Sequence, residues 1–322
     1  MRYDLPDWDD AVKVLREADE VALACHVNPD GDALGSLLGA SLCLAQLGKK
    51  VAASWGAEAM GMPPSYTFLP GQELLVPPEE LPSAATFLAL DCGAIDRLGS
   101  LEVTAAAAER VVNVDHHPGN DDFGDLNLVV PTASSTAELT VRLLEDVGAR
   151  IDRDIATCFY VGLVTDTGRF QYTNSSPETL RMAADLLSHG VPATEIAQDV
   201  FESAPFGYLK LVGRVLERAT LLEKERFVYS WVGVTDLDET GVALDETEKL
   251  IDLVRSTRDA NVAALFKEQP DGTYRVSLRS KGPISVGAIA RANGGGGHDL
   301  AAGFTAAGVE AAVAEIRAAL TS

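Results

Sequence analysis

Short apolar runs alternate with longer amphipathic stretches through the first 190 or so residues of the chain. Short apolar runs are typical of buried strands, and apolar positions repeated every three or four residues are typical of helices. Alternation of the two signals predicts an α/β domain built on a parallel sheet. The predicted strands are 21–27, 50–55, 87–90 and 110–114, and the main predicted helices are 9–18, 33–47, 135–147, one from residue 153, and 177–188.

The pattern changes near residue 227. Strands are predicted at 227–232, 262–267 and 274–280, with a hairpin turn at Pro270-Asp271-Gly272 between the last two. Helices are predicted at 246–255, 286–292 and 310–320. Because a hairpin pairs its strands antiparallel, this half predicts a smaller α/β domain with a mixed sheet.

Two further helical stretches, at about 192–200 and 205–216, connect the halves. We therefore predict a first domain at residues 1–190, a helical linker at 191–208 and a second domain at 209–322. We expect the active site in the cleft between the two domains, because clefts of this kind commonly hold ligands.

Charge and cysteine usage restrict the classes of partner. Lys+Arg 26 against Asp+Glu 48 gives a formal net charge of -22, which argues against binding of duplex nucleic acid. The acidic N-terminus has no signal-like apolar run, and the weakly polar run at 33–45 is too short for a membrane span. The 4 cysteines form no CxxC pair. We predict reduced core thiols and a cytoplasmic protein that does not bind membranes.

Polar side chains follow the first strand at the turn His26-Val-Asn-Pro-Asp30-Gly-Asp32. One acidic residue here could simply cap the next helix. A single cap needs only one carboxylate, whereas this turn has two and a histidine. Two glycines inside the helix, Gly35 and Gly39, predict close packing on the sheet.

Three other segments end in acidic or imidazole groups. Asp91 follows the third strand, Asp115-His116-His117 ends the fourth, and Asp166 lies at the end of the helix from residue 153. Each could be an ordinary turn or helix-terminal residue. In an extended backbone adjacent imidazoles point to opposite sides, so one could bind a metal while the other faces substrate, and Asp115 could orient one of them.

Seven of these acidic and imidazole residues are expected at one edge of the sheet. Their carboxylates would repel one another there unless a cation neutralised them. Divalent metals resolve this conflict, and mixed carboxylate and imidazole ligands suit Mn²⁺ better than Ca²⁺. We expect two ions about 3.5–4 Å apart with Asp91 as the bridge, and phosphoester hydrolysis as the chemistry. Mg²⁺ or Co²⁺ could substitute. The seven residues are His26, Asp30, Asp32, Asp91, His116, His117 and Asp166.

The second half offers anion-binding groups. The run 294–297 is four glycines, which leave backbone amides accessible, and His298 follows it. Arg279 shares one face of the last predicted strand with Arg275 and Ser277. The alternatives are a flexible loop for the glycines and a solvated strand position for Arg279. Earlier in the chain, Ser135-Thr136-Ala137-Glu138 is a capping-box pattern that predicts a helix start.

Taken together, the residues resemble the DHH phosphoesterase family, whose name-giving motif is Asp115-His116-His117. The first family motif is similar to residues 26–32, the second to Asp91-Cys-Gly and the fourth to Val-Thr-Asp166-Thr-Gly. Residues 294–304 are similar to the signature of the DHH-associated C-terminal domain. Length and composition resemble the compact branch of oligoribonucleases and pAp phosphatases, the nanoRNases.

The resemblance implies one ion held by His26, Asp30 and Asp91, and another held by Asp32, Asp91, His116 and Asp166. It implies that His117 contacts the scissile phosphate, so the expected catalytic residues are His117, Asp91 and Asp115. The expected substrate-binding residues are Arg279, Ser280, Gly295, Gly296, Gly297 and His298. The expected substrates are pAp, dinucleotides such as pApA and other short oligonucleotides.

Three alternative functions remain open at this point. Arg279-Ser280-Lys281 resembles a signature of the manganese-dependent inorganic pyrophosphatases, which share the first four motifs. A cyclic-dinucleotide phosphodiesterase acting on cyclic di-AMP is a closer neighbour. A nucleotide-binding sensor with structural metals is the non-enzymatic alternative. The chain could also form a homodimer.

Overall fold

The computed structural model describes residues 3–57 and 60–321. Met1 and Arg2, with which the acidic N-terminal stretch begins, lie outside them, as do Glu58, Ala59 and Ser322. The chain divides into two compact units, Met1–Ser203 and Ala204–Ser322. Among the residues described, no helix combines the length and apolar character needed to cross a bilayer.

The amino-terminal unit contains a five-stranded sheet in the order β2-β1-β3-β4-β5, with every strand pair parallel. The parallel α/β fold is therefore confirmed. The strands are β1 (Glu20–Cys25), β2 (Lys50–Trp55), β3 (Thr86–Leu90), β4 (Arg110–Asp115) and β5 (Leu126–Val129). The helices are α1 (Trp8–Glu17), α2 (Gly31–Gln46), α3 (Glu102–Ala106), α4 (Thr136–Val147), α5 (Arg153–Asp166), α6 (Pro177–Ser188) and α7 (Ala193–Phe201).

Alternating strand residues divide the core of this sheet between its two faces. Leu23, Leu88 and Val112 join the larger apolar cluster beneath α1, α2, α4 and α5. Ala22, Phe87 and their neighbours form a smaller cluster with α3 on the other face. Apolar side chains thus cover both sides of the sheet, and the polar residues lie at its carboxyl edge.

The glycine face of helix α2 packs closely on helix α5, and not on the sheet as these glycines suggested. A Cβ at Gly35 would lie 2.4 Å from the Cys158 carbonyl oxygen, and one at Gly39 would lie 2.7 Å from the Phe159 ring. A Cβ at Gly31 would likewise overlap the Thr165 side chain at 2.5 Å. Because the helices approach this closely, the start of α2 lies beside the end of α5.

The carboxy-terminal unit contains a mixed six-stranded sheet in the order β10-β11-β9-β8-β7-β6, which confirms the predicted sheet type. Within the described residues of this second sheet, only β7 and β8 pair in parallel, and the other neighbouring strands pair antiparallel. The strands are β6 (Thr220–Leu222), β7 (Phe227–Val232), β8 (Val262–Glu268), β9 (Tyr274–Ser280), β10 (Gly296–Gly297) and β11 (Ala301–Ala306). The helices are α8 (Phe206–Glu217), α9 (Val234–Thr240), α10 (Leu250–Arg255), α11 (Val286–Ala292) and α12 (Val309–Thr321).

This second sheet is also covered on both faces. Val276 and Leu278 of β9 pack in an apolar cluster with α11 and α12. Ala263 and Leu265 of β8 pack on the opposite face with α8 and α10. The alternation predicted for β9 is therefore observed, with Arg275, Ser277 and Arg279 on the other face.

Candidate metal centre

The turn between β1 and α2 holds His26, Asp30 and Asp32. Asp30 caps α2, because its Oδ1 accepts hydrogen bonds from the backbone N–H groups of Asp32 and Ala33 at 3.0 and 3.1 Å. Capping of the helix therefore involves only one of the two carboxylate oxygens of Asp30. His26 Nδ1 lies 2.8 Å from the Val27 carbonyl oxygen, and His26 Nε2 lies 3.5 Å from Asp91 Oδ2.

Asp91 lies directly after β3 and is 3% exposed. Its φ of 60° is in the left-handed region, which non-glycine residues rarely adopt and which is common at functional sites. The two carboxylate oxygens face different partners. Oδ2 faces His26, whereas Oδ1 lies 3.8 Å from His116 Nε2 and accepts a 2.8 Å hydrogen bond from the Thr136 hydroxyl.

Asp32 is buried against the start of α4. Its Oδ2 accepts a hydrogen bond from the Thr136 backbone N–H at 2.6 Å, and its Oδ1 accepts one from the Ala137 N–H at 2.9 Å. Both donors belong to the first turn of a helix, where unpaired N–H groups and the helix dipole favour an anion. Asp32 Oδ2 also lies 3.9 Å from His116 Nε2.

The two adjacent histidines do not point to opposite sides, as we expected from an extended backbone. Strand β4 ends at Asp115, so residues 116 and 117 lie beyond the strand, and their ring centroids are 4.9 Å apart. Both rings approach Asp91 Oδ1, at 3.8 Å from His116 Nε2 and 3.6 Å from His117 Nδ1. The two imidazoles therefore belong to one cluster.

Asp115 orients His117. Its Oδ1 lies 2.7 Å from His117 Nδ1, and its Oδ2 accepts a 2.6 Å hydrogen bond from the Asn120 amide. Asp115 itself is completely buried, whereas the His117 side chain is 35% exposed. A buried carboxylate thus holds an imidazole that reaches solvent.

Asp166 is the last residue of α5. Its Oδ2 lies 3.7 Å from His116 Nε2 and accepts a 3.2 Å hydrogen bond from the Asn174 amide. The same amide nitrogen donates to the Ser134 carbonyl oxygen at 2.8 Å. Asn174 therefore links the end of α5 to the segment that precedes α4.

The structure brings all seven predicted residues of the first domain together. Their ligand atoms form groups in which every atom lies within 4.8 Å of the others. One group is His26, Asp30 and Asp91, and another is Asp32, Asp91 and His116. A third contains Asp91, Asp115 and His117. Asp91 belongs to all three groups, and Asp166 lies within 4 Å of His116.

The electrostatics of the cluster fit a divalent cation. Burial raises the pKa of the Asp32 carboxyl well above its ordinary value, and the charges of Asp91 and Asp166 raise it further. Burial likewise raises the pKa of Asp166 to about 6, against the lowering effect of His116. Carboxylates that repel one another in this way are stabilised by a bound metal ion, whose charge reverses these shifts.

The imidazoles show the opposite shift. Burial opposes the protonation of His26, but the interaction with Asp91 and the charge of Asp30 outweigh it and raise its pKa to about 9. Burial also opposes the protonation of His117, and its hydrogen bond with Asp115 raises the pKa to about 9. Protons on these rings therefore balance part of the carboxylate charge, and at His26 a metal ion would take over this role.

Thr136, Asn120 and Asn174 contact the cluster but were not predicted to do so. The sequence pattern around Thr136 indicated only a helix start. Ser135 does cap α4, accepting from the Glu138 N–H at 3.1 Å. The side chain of Glu138, however, accepts hydrogen bonds from the N–H and hydroxyl of Ser134, at 3.1 and 2.6 Å.

In the carboxy-terminal unit, Arg279 lies on β9 with its side chain 26% exposed. Its guanidinium donates to the Leu278 carbonyl oxygen at 3.0 Å and lies 3.9 Å from the Asp252 carboxylate. Ser280 is completely buried, and its hydroxyl lies 3.4 Å from the Gly282 carbonyl oxygen. The Ser280 side chain therefore supports the turn after β9.

The glycine run is partly built into the sheet. Gly296 and Gly297 form β10, which pairs antiparallel with Gly303 and Ala302 of β11. A Cβ at Gly295 would lie 2.1 Å from the Gly303 carbonyl oxygen, so close strand packing requires glycine there. At Gly297 the φ of 125° also favours glycine. Gly296 shows neither constraint, and His298 directly follows β10.

Comparison with known protein families agrees with this arrangement. The model of the DHH family, N-terminal domain, matches residues 20–163, and the model of the DHHA1 domain matches residues 224–322. The chain is 36% identical over 293 residues to the bifunctional oligoribonuclease and PAP phosphatase NrnA of Thermus thermophilus. This match covers 90% of the chain and 85% of the relative. The chain belongs to the DHH family of phosphoesterases.

Other DHH-family members match over similar lengths. The NrnA protein of Bacillus subtilis is 28% identical and is matched over 91% of each chain. A crystal structure of an exopolyphosphatase-related protein from Bacteroides fragilis superposes with a TM-score of 0.89, at 26% identity, over 98% of this chain and 95% of that one. DHH phosphoesterases depend on metal ions, so this chain is a metal-dependent enzyme whose acidic and histidine cluster is its candidate metal site.

Proposed function

We propose that this DHH phosphoesterase hydrolyses short oligoribonucleotides to nucleoside monophosphates and converts pAp to AMP. The relatives named as bifunctional oligoribonuclease and PAP phosphatase, matched over most of both chains, support this substrate class. The observation that carries the proposal is that Asp91 presents one oxygen to His26 and the other to His116. A carboxylate placed between two sets of ligands is what a two-metal phosphoesterase requires.

Two Mn²⁺ ions are the proposed cofactors. His26, Asp30 and Asp91 would hold one ion, and the other would be held by Asp32, Asp91, His116 and Asp166. Mixed imidazole and carboxylate donors favour a transition ion over Ca²⁺. When bound, such a pair supplies an activated water and stabilises charge on a phosphoryl group.

His117 is the proposed acid at the scissile phosphate. Asp115 accepts at Nδ1, which assigns Nε2 of the same ring to the substrate. The hydrogen bond with Asp115 raises the pKa of the ring and favours its protonated form, from which Nε2 would donate to a phosphate oxygen or to the leaving oxygen. Asp115 fixes the orientation of the ring, and Asn120 fixes that of Asp115.

We assign catalysis to the first domain, residues 1–190, and substrate binding to the domain at 209–322, joined by the linker at 191–208. Arg279 and His298 would bind a second phosphate or nucleotide, with the backbone of Gly295, Gly296 and Gly297 beside them. The Ser280 hydroxyl is buried, so we propose that Ser280 contributes through the shape of its turn. Groups that hold one further phosphate or nucleotide favour substrates of a few nucleotides.

A panel of pAp, pApA, short RNA oligomers, cyclic di-AMP and pyrophosphate, assayed with Mn²⁺, tests the proposal. We expect the highest kcat/KM for pApA and other very short RNAs, with pAp also hydrolysed. Turnover of pyrophosphate above that of every nucleotide would assign the enzyme to the pyrophosphatases. Absence of hydrolysis with every member of the panel would refute the proposed activity.

Hydrolysis of cyclic dinucleotides is the second candidate function. A cyclic-di-AMP phosphodiesterase, GdpP of Geobacillus thermodenitrificans, is 28% identical over 89% of this chain but is matched over only 44% of its own length. A kcat/KM for cyclic di-AMP above that for pApA would favour this function.

A further inference from the structure

One short segment, residues 133–137, contacts three of the four proposed ligands of the second metal ion directly and is linked to the fourth, Asp166, through Asn174. The Thr136 and Ala137 N–H groups donate to Asp32, and the Thr136 hydroxyl donates to Asp91. The Ala133 carbonyl oxygen lies 3.4 Å from His116 Nδ1. Through Asn174, the Ser134 carbonyl oxygen is also linked to Asp166.

Within residues 3–57 and 60–321, no single segment supports the ligands of the other proposed ion in this way. His26 contacts the carbonyl oxygen of the next residue, and Asp30 accepts from N–H groups two and three residues further along the chain. These contacts are local to one turn. The two halves of the metal centre are therefore held by different parts of the protein, although both use Asp91.

The segment is itself firmly anchored. Glu138 accepts hydrogen bonds from the N–H and hydroxyl of Ser134, from the Tyr3 hydroxyl at 2.7 Å and from Arg142 at 2.9 Å. Ser134, Ser135 and Thr136 are at most 1% exposed. A buried and fully bonded segment can hold carboxylates in one orientation, as the outer hydrogen-bond partners of metal ligands commonly do.

We propose that residues 133–137 form the outer hydrogen-bond shell of the second metal ion and that Thr136 is its main positioning residue. Thr136 holds the Asp91 oxygen that faces His116, while its backbone holds Asp32. Loss of the hydroxyl therefore keeps every proposed metal ligand but removes the hydrogen bond that holds Oδ1 of Asp91, the carboxylate shared by the two ions. This inference rests on the two-metal centre of the proposed function.

The test uses Thr136→Val, which removes only the hydroxyl, and Thr136→Ser, which keeps it. Thr157→Val is the matched control, because Thr157 is also buried in a helix and its hydroxyl donates only to the Arg153 carbonyl oxygen. Mn²⁺ binding is measured by isothermal titration calorimetry on the metal-free proteins. Electron paramagnetic resonance then shows whether the two ions are coupled through a shared ligand, and thermal unfolding checks the fold.

We expect Thr136→Val to weaken the affinity for the second Mn²⁺ ion by about 10- to 100-fold and to leave the affinity for the first ion unchanged. The electron paramagnetic resonance signal of the coupled ions should be reduced. Thr136→Ser and Thr157→Val should bind both ions like the unmodified protein. The inference would be overturned if Thr136→Val bound both ions as tightly as the unmodified protein does. It would also be overturned if Thr136→Ser lost as much Mn²⁺ affinity as Thr136→Val. If Thr136→Val selectively loses the second ion and the unmodified protein with both ions bound fails to cleave RNA, this inference is upheld and the proposed substrate is refuted.

Discussion

The sequence predicts function for two sets of residues. One is the polar residues at the sheet edge of the amino-terminal unit, and the other is the glycine run of the carboxy-terminal unit. The structure explains the two sets differently. His26, Asp91, His116 and Asp166 come from distant segments and converge in a buried cluster. Part of this charge is unfavourable to the metal-free fold, since burial and mutual repulsion raise the pKa of Asp32 and Asp166. By contrast, Gly295 and Gly297 are required by close strand packing and backbone conformation.

Catalytic and architectural residues in a sequence motif differ in what they do to the stability of the fold. A residue that makes the fold less stable without a ligand is a strong candidate for function, because proteins tolerate such strain mainly at their sites. A residue that the fold requires gives weaker support for function. By this criterion a functional role is better supported for the metal cluster than for the glycine run. Within the second unit, a functional role is better supported for Arg279 and Gly296 than for Gly295.

The largest expected effect is that of Asp91→Ala. Because Asp91 belongs to both proposed sets of metal ligands, its loss should disrupt both metal positions and abolish hydrolysis. Steady-state assays with Mn²⁺ measure this. Asp96→Ala, a change at an exposed carboxylate close by, is the control and should leave activity unchanged. Near-native turnover by Asp91→Ala would refute its role as the shared ligand.

Arg279→Ala should produce a substrate-binding defect. Loss of a charged hydrogen bond to a phosphate predicts a KM raised by about 10-fold or more, with kcat changed much less. The control is Arg275→Ala, on the same strand and face but 61% exposed, which should change KM by less than about twofold. A collapsed kcat at unchanged KM would contradict the assignment of Arg279 to substrate binding.

Gly297→Ala should act on stability. Its φ of 125° and the 2.6 Å approach to Ala302 Cα predict a loss of about 1–3 kcal/mol in the free energy of unfolding, measured with urea. Gly296→Ala is the matched change, because a Cβ there meets no atom within 4 Å. If Gly296→Ala were the more destabilising of the two, the architectural explanation of the run would be wrong.

A smaller effect concerns pH. In the metal-free protein the pKa of His26 and of His117 is about 9, above the ordinary value of 6.5. The stability from these protonated rings is fully present below pH 6.5 and is lost as pH rises through about 9. Thermal unfolding in a chelator should therefore show a falling melting temperature across that range. With excess Mn²⁺ the decline should be smaller, and an equal decline in both conditions would count against a metal ion bound by His26.

Much of the fold could be predicted from the sequence because buried parallel strands are continuous apolar runs. Four strands of the first sheet were predicted in this way. The fifth strand, β5, was missed, since Leu126-Asn-Leu-Val is short and only partly apolar. In the second unit β11 was missed because Ala-Ala-Gly-Phe-Thr-Ala has few β-branched residues, and its place in the sheet depends on pairing with β9.

The cluster could be predicted because the carboxyl ends of parallel strands meet at one edge. What the sequence could not predict is which groups would orient the ligands. Thr136 and Asn174 contact Asp91 and Asp166 across 45 and 8 residues, contacts that follow from tertiary packing. The relative direction of His116 and His117 was also predicted wrongly, because it depends on where β4 ends.

The proposed two-metal centre can be observed by anomalous diffraction from crystals soaked in Mn²⁺. We expect two Mn²⁺ ions in the amino-terminal unit, with Asp91 bound to both through different oxygens. A single ion, ions that do not share Asp91, or no ion at saturating Mn²⁺ would contradict it.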